Sequence, residues 1–163
     1  MIELAQQRTE EMGTLKGSIM EGKGTVAGFL GELIVCEVIG AQPSNDFQHD
    51  LNLDGIVLLE VKTKQRTKAP IPSYEVDVAA RNIRQQADYY VFTSVLYDQS
   101  FGYVLGCMPK YEYLMQSRFR EKGTNCGGFT VKASCFSMPI SKLIPLEEIE
   151  LVKTIRTVTH DQE

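Results

Sequence analysis

Hydrophobic positions along the chain change several times between helical spacing and strand spacing. Residues 2 to about 20 carry a thin apolar stripe, which predicts an amphipathic helix. The segment from Thr25 to Ile39 is apolar on nearly every side, as is typical of a helix buried against a sheet, and Gly40 is expected to end it. Between residues 50 and 64 an alternating run reaches Asp54-Gly55 and a run rich in Val, Leu and Ile returns, which predicts a β-hairpin.

The rest of the chain continues the exchange of helices and strands. After a polar loop that contains prolines, the pattern predicts a helix at 77–86, strands at 89–97 and 101–107, a helix at 109–122, a strand at 129–138 and a short helix from Pro145. This order predicts an α/β fold with a mixed central sheet flanked by helices.

Length and composition indicate one globular domain. The chain has 163 residues, 43% of them hydrophobic and 23% charged, which suits a single core over residues 1–163. The apolar runs are too short to span a bilayer, and no basic-then-apolar leader starts the chain. We therefore expect a cytoplasmic protein without membrane contact. The four cysteines form no Cys-x-x-Cys pair, so a zinc site is not expected.

The net charge of −4 differs from the basic surface of most proteins that grip duplex DNA. Charge is local, however, and active-site carboxylates count against the total until a metal ion neutralises them. The chain is locally basic from the end of the predicted hairpin onward, at Lys62, Lys64, Arg66, Lys68, Arg81 and Arg84. This segment is a candidate contact for phosphates.

The predicted hairpin also brings charged groups together. Glu60 and Lys62 are two residues apart on one strand, so both side chains emerge from the same face, and Asp50 lies across the hairpin. A carboxylate beside an ammonium ion, with a second carboxylate nearby, can hold a divalent cation and an attacking water. The arrangement predicts metal-assisted hydrolysis of a phosphodiester.

Asp54 competes with Asp50 as the second carboxylate of the site, and the choice of Asp50 depends on the geometry of the turn. Asp54 also precedes Glu60 at a suitable interval, but its place before Gly55 gives it a sufficient role in a type I′ turn, so we prefer Asp50. With a strict two-residue turn Asp50 would face away from Glu60. The hypothesis therefore requires a longer loop or a bulge.

The apolar helix carries a lone carboxylate, Glu32, with no pairing partner one turn away. A buried unpaired charge is costly, so Glu32 needs a metal ion, Lys62 or a proton. Glu37 on the same helix has the same problem and is the competing candidate. We prefer Glu32 because Gly28 and Gly31 allow another part of the backbone to approach it closely.

The acidic residue at position 50 and the Glu-x-Lys sequence at 60–62 resemble the active-site signature of the PD-(D/E)xK nuclease superfamily. The resemblance covers residues 25 to 97 and implies a restriction-endonuclease-like αβββαβ core, with residues 98–155 as a C-terminal elaboration. Few residues separate the first helix of that core from Asp50. The first strand is therefore expected to be very short, around residues 46–48.

The same resemblance implies roles for individual residues. Glu32, Asp50 and Glu60 would bind Mg²⁺ or Mn²⁺, and the backbone carbonyl of Val61 would face the metal ion. Lys62 would hold the attacking water. The residues expected to contact nucleic acid are Lys64, Arg66, Lys68 and Gln85.

The predicted function is that of a metal-dependent deoxyribonuclease, an endonuclease similar to stand-alone phage or repair nucleases such as Holliday-junction resolvases. Its partner would be DNA, and a homodimer would suit an enzyme that cuts two strands. Two alternatives stay open. One is a catalytically silent module of the same fold that binds nucleic acid or a protein, and the other is a structural protein whose three carboxylates are scattered in space.

Overall fold

The computed structural model describes residues 1–12, 25–44 and 48–149, and it begins with two helices. Helix α1 spans Ile2–Met12 and helix α2 spans Thr25–Ile39, with the predicted bounds of α2 confirmed. Gly40 ends α2 with a positive φ of 69° and donates its N–H to the carbonyl of Cys36. Residues 13–20 of the first predicted helix lie outside the described residues. In the described ranges, no helix is long and apolar enough to cross a bilayer.

The strands that follow form two sheets. Their bounds are β1 Gln42–Pro43, β2 Leu51–Leu53, β3 Val57–Arg66, β4 Glu75–Ala79, β5 Tyr89–Leu96, β6 Gly102–Pro109, β7 Arg118–Arg120 and β8 Cys135–Pro139. The central sheet has the order β1-β2-β3-β5-β6, in which only β3 and β5 pair parallel. The predicted α/β fold with a mixed central sheet is thus confirmed. The short first strand lies at 42–43 instead of around 46–48, and residues 45–47 are outside the description.

The second sheet is antiparallel, with the order β4-β8-β7, and it stands where a helix was expected. The helix predicted at 77–86 is wrong, because Glu75–Ala79 forms β4 and only Ala80–Arg84 turns into a short 3-10 helix. Val76 and Val78 are buried in alternation and pair with β8. The alternation of valines and charged residues in β4 is itself typical of a strand, and pairing with β8, far along the chain, completes it. The second helix of the expected αβββαβ order is missing here.

Two elements near the C-terminus are shorter than predicted. Helix α3 spans Lys110–Gln116 instead of 109–122, because the chain then becomes β7 and pairs with β8. Strand β8 begins at Cys135 instead of Phe129. A helical turn follows Pro145, as predicted, at residues 147–149.

Both faces of the central sheet are covered. One face packs against α2 through buried side chains that include Val35, Leu51, Leu59 and Val91. The other face packs against the second sheet and α3 through Val76, Tyr90, Phe92, Tyr113 and Met138. Side chains alternate along a strand, so Glu60, Lys62 and Lys64 of β3 emerge on the second face, with Tyr90 and Phe92.

Helix α2 approaches the central sheet most closely at Gly31. A Cβ atom built there would lie 2.0 Å from Thr63 Oγ1 and 2.4 Å from Thr93 Oγ1, so a side chain does not fit without movement. At Gly28 a Cβ atom would meet nothing within 4 Å. The close approach expected of these two glycines is therefore required at Gly31, beside Glu32.

Candidate active site at the β2–β3 hairpin

The turn between β2 and β3 is one residue longer than a strict two-residue hairpin loop. Asp54 and Gly55 take the positive φ values of 52° and 70° that a type I′ turn requires. Ile56 then intervenes before the chain pairs again, with Val57 opposite Leu53. This additional residue shifts the register of the two strands by one position.

The shifted register brings Asp50 to the face that carries Glu60. Leu51 pairs with Leu59 as the first residue of β2, and Asp50 just before it donates its N–H to the Leu59 carbonyl at 3.0 Å, next to Glu60 in the chain. Asp50 Oδ2 accepts a hydrogen bond of 2.7 Å from the N–H of Val61. The geometric condition on Asp50 is met, and the turn accounts for Asp54.

Glu60 and Lys62 form a close ion pair. Lys62 Nζ lies 2.5 Å from Glu60 Oε1, and the two side chains are only 16% and 2% exposed. Lys62 Nζ also donates to Gln85 Oε1 at 3.3 Å. Gln85 therefore reaches the site, although the helix expected around it is absent.

The other carboxylate oxygen of Glu60 has no donor. Among the described residues, Glu60 Oε2 is buried and accepts no hydrogen bond. The carboxyl of Asp50 lies beside it: burial, followed by the charge of Glu60, raises the pKa of Asp50 to about 7. The charge of Lys62 and the hydrogen bond from Val61 oppose that rise only in part. Two buried carboxyl groups side by side attract a proton or a cation.

Glu32 on α2 belongs to the same electrostatic cluster. Burial, followed by the charge of Asp50, raises the pKa of Glu32 to about 8. Glu60 acts in the same direction, whereas the cations Arg8 and Lys62 lower the pKa. The competing candidate on this helix, Glu37, is exposed and needs no partner. The structure thus places Glu32, and not Glu37, beside the hairpin.

The donor set has the chemistry that a hard divalent cation prefers. Magnesium binds carboxylate oxygens, and the buried Glu60 Oε2 is one without a donor. Within the described residues, however, no three carboxylate, imidazole or thiolate side chains are arranged to hold one metal ion. Asp50 lies close enough to Glu60 for the charge of Glu60 to raise the pKa of Asp50, and both carboxylates raise the pKa of Glu32. The residues therefore fit a cation at the Asp50–Glu60 pair, with Glu32 as a neighbouring carboxylate.

The three basic residues expected to contact nucleic acid differ in how far their side chains are engaged within the fold. Strand β3 extends through Arg66, so Lys64 and Arg66 lie in a strand and only Lys68 lies in the exposed loop. Lys64 Nζ is 2.5 Å from Asp77 Oδ2. The Arg66 guanidinium lies 4.9 Å from the centre of the Tyr74 ring and donates to a backbone carbonyl of β4 at 2.9 Å. Arg66 is thus engaged within the fold, while Lys68 remains accessible.

Three residues near the site were missed by the sequence patterns. Tyr90 stands beside Glu60 in the parallel register, and among the described residues its buried hydroxyl has no hydrogen-bond partner. Burial, followed by the charge of Glu60, raises the pKa of Tyr90 to about 12. Lys110 Nζ donates to the backbone carbonyl of Gln85, and Arg8 comes from α1. If the parallel pairing of β3 and β5 were known, strand spacing would predict that Tyr90 lies beside Glu60. The sequence around Lys110 and Arg8 contains no pattern that predicts their place near the site.

Comparison with known proteins does not assign the chain to a family. No protein-family model matches the chain, and no curated protein matches it.

Proposed function

We propose that this chain is a Mg²⁺- or Mn²⁺-dependent deoxyribonuclease of the PD-(D/E)xK type that cuts DNA as an endonuclease. The observation that carries the proposal is the buried Asp50–Glu60 carboxyl pair. Glu60 Oε2 lacks a donor, while Glu60 Oε1 is held 2.5 Å from Lys62 Nζ. A site of this kind has room for one more positive charge beside an ammonium group.

Stability alone gives little reason for such a pair. Carrying carboxylates and an ammonium ion out of water costs free energy, and apolar residues of similar size often stabilise a fold as well or better. Perturbed pKa values of several neighbouring groups are more common at functional sites than elsewhere. Asp50, with a pKa raised to about 7, and Glu32, with a pKa raised to about 8, fit that pattern.

Each residue has a defined part in the proposed reaction. Asp50 and Glu60 would bind the metal ion, and Glu32 would add negative charge beside them. The ion, when bound, supplies the charge that polarises the scissile phosphate and lowers the pKa of water. Lys62 would orient the attacking water and stabilise the negative charge that develops on the phosphate oxygens. Gln85 would keep the Lys62 ammonium group in place through their hydrogen bond of 3.3 Å.

Cleavage of closed circular plasmid tests the proposal, because only an endonuclease can nick a circle. Wild-type protein and Lys62→Ala are incubated with supercoiled plasmid in Mg²⁺, in Mn²⁺ and in EDTA. Lys142→Ala is the matched control, since Lys142 is an exposed lysine on a short 3-10 helix far along the chain. We expect metal-dependent nicking by the wild type and Lys142→Ala that Lys62→Ala lacks. Nicking of equal rate in all three proteins, or none with either metal, would count against the proposal.

A catalytically silent module that binds nucleic acid or a protein is the second candidate. It is favoured by the lack, among the described residues, of three side chains arranged around one metal position. This candidate predicts binding of nucleic acid without cleavage at any concentration of divalent metal.

A further inference from the structure

Two clefts run side by side from the candidate active site to the second sheet. The first has a volume of about 370 Å³, and its lining includes Lys62, Lys64 and Asp77. The second has a volume of about 360 Å³ and shares Lys64 and Asp77 with the first. Phe129 and Lys132 line its far side. The two clefts therefore meet at the Lys64–Asp77 ion pair.

A third cleft adjoins the second. It has a volume of about 560 Å³ and shares Arg120 with the second cleft. Arg118 and Phe119, both exposed on β7, also line it. The three clefts form a track across the second sheet, which we call the β4–β7 track.

The β4–β7 track is basic in an otherwise acidic chain. The lining of the three clefts contains five basic residues, Lys62, Lys64, Arg118, Arg120 and Lys132, and two acidic residues, Asp77 and Glu121, whereas the whole chain has a net charge of −4. Lys132 is exposed, and Arg120 forms an ion pair of 2.6 Å with Glu75. Positive charge concentrated along one surface is what a phosphate backbone recognises.

An accessible aromatic ring stands in this basic setting. Phe129 is 57% exposed although it lines the second cleft. The backbone on both sides of the ring contacts the fold: the Phe129 carbonyl accepts a hydrogen bond of 2.9 Å from the Cys126 N–H, and Val131, two residues on, is buried. An exposed ring in the same cleft as Arg120 and Lys132 suits the stacking of an unpaired base.

We propose that the β4–β7 track binds a single-stranded segment of nucleic acid. Phosphates contact Lys64, Arg120 and Lys132, and a base stacks on Phe129. A base can stack on an exposed ring only when it is unpaired, so the track suits a single strand and not a duplex. Strand binding stands on the track alone, and only the delivery of that strand to Lys62 rests on the proposed nuclease function.

The Lys64–Asp77 pair gives the proposal a specific consequence. Both side chains are partly exposed, at 46% and 32%, and a Ser137 hydroxyl also donates to Asp77 Oδ1 at 2.7 Å. A phosphate at the junction of the clefts has to compete with Asp77 for Lys64. Removing the charge of Asp77 without changing its shape therefore strengthens strand binding.

The test is fluorescence anisotropy with labelled oligonucleotides of about 15 nucleotides in EDTA, where no divalent metal permits cleavage. The probes are single-stranded DNA, the same sequence as RNA, and the DNA duplex. We expect either single strand to bind at least tenfold more tightly than the duplex. Comparing the DNA and RNA strands shows which sugar the track accepts.

Variants locate the binding surface. Phe129→Ala weakens single-strand binding by roughly five- to hundredfold, the range of losses found for one stacked base. Asp77→Asn strengthens it severalfold. Phe101→Ala is the control, because Phe101 is 62% exposed and lies outside the three clefts. Equal affinity for duplex and single strand, or equal losses for Phe129→Ala and Phe101→Ala, would overturn the proposal.

The same variants separate this proposal from the nuclease proposal. If strand binding follows the predicted pattern but no metal supports cleavage, the β4–β7 track stands and the nuclease proposal fails. If cleavage occurs but Phe129→Ala and Asp77→Asn leave strand binding unchanged, the track proposal fails alone.

Discussion

The β2–β3 hairpin and the β4–β7 track hold charge in opposite ways. At the hairpin, Glu60 and Lys62 are 2% and 16% exposed, and Asp50 is close enough for its pKa to rise to about 7. Along the track, Lys64 is 46% exposed and Lys132 is open to solvent. Charges withdrawn from water interact strongly and cost free energy, whereas exposed charges interact weakly and are screened by salt.

This difference indicates a division of labour. Under the two proposals, the hairpin acts on one bond, whereas the track makes many weak and reversible contacts with phosphates. The net charge of −4 is a sum over the whole chain and describes neither region. A mildly acidic chain can therefore hold a surface for nucleic acid.

The largest effect is expected from Glu60→Gln. The amide keeps the shape of the side chain and can still accept a hydrogen bond from Lys62, but it removes the charge that would attract a metal ion. We expect the single-turnover cleavage rate to fall by at least about 100-fold, as when a single group that stabilises a transition state is lost. Single-strand affinity in EDTA should stay within about twofold of wild type. A matching loss of binding would show that the two regions are not separate.

The next largest effect is expected in the thermal stability of the metal-free protein, which should depend on pH. The pKa of Glu32 is about 8 in the folded state and near 4.5 for an unperturbed carboxyl group, so between these values folding retains a proton that the unfolded chain has released. Stability therefore falls as the pH rises through this window, and Asp50 contributes in the same direction up to about pH 7. We expect the midpoint of thermal unfolding in EDTA to drop by several degrees between pH 5 and pH 8.

Glu32→Gln tests this explanation. The glutamine side chain does not titrate, so the melting temperature of Glu32→Gln should fall less between pH 5 and pH 8 than that of the wild type. At pH 8 the variant should have the higher melting temperature. Glu37→Gln is the control, because Glu37 is exposed on the same helix. Parallel pH profiles for wild type and Glu32→Gln would contradict the assignment.

A smaller effect is expected where α2 touches the central sheet. Gly31→Ala forces Thr63 or Thr93 to move, since the new Cβ would lie 2.0 Å from one hydroxyl oxygen and 2.4 Å from the other. Overpacking of this kind costs about 1–3 kcal/mol, or several degrees in melting temperature for a chain of this size. Gly28→Ala is the matched control on the same helix, where open space and better helix propensity predict a slight gain. Thermal unfolding of the two variants gives the comparison directly.

The smallest effect is expected from Arg66→Ala. Arg66 stacks on Tyr74 and donates to β4 within the fold, so its loss should lower the melting temperature by a few degrees at most. Single-strand affinity should not change, whereas Lys132→Ala should reduce the dependence of binding on salt. A strong loss of affinity in Arg66→Ala would instead extend the binding surface to the end of β3.

The parts of the fold that follow from neighbouring residues could be predicted from the sequence. The bounds of α2 follow from an apolar run that ends at Gly40, and the hairpin follows from Asp54-Gly55, where both residues take positive φ. Strand β4 was missed although part of its signal is local, because Val76 and Val78 alternate with Glu75 and Asp77 as in a half-buried strand. The helix-compatible residues from Ala79 onward hide that short alternation, and the pairing with β8 is not visible in the sequence.

In the candidate site, too, the features that depend on neighbouring residues could be predicted, and those that depend on tertiary packing could not. The spacing of Glu60 and Lys62 already places both on one face, and the structure adds their contact. The extra residue Ile56, which turns Asp50 toward Glu60, is invisible in a pattern of apolar positions. The approach of Arg8 to Glu32 depends on how α1 packs against α2, which no local signal encodes.

Calorimetric titration of Mn²⁺ into the protein at pH 7.5 tests the central claim most directly, because it needs neither substrate nor turnover. We expect saturable binding to the wild type and to Glu37→Gln, with protons released as Asp50 and Glu32 ionise, and no saturable binding to Glu60→Gln. Absence of binding to the wild type, or equal binding to Glu60→Gln, would contradict the assignment of the Asp50–Glu60 pair as a metal site.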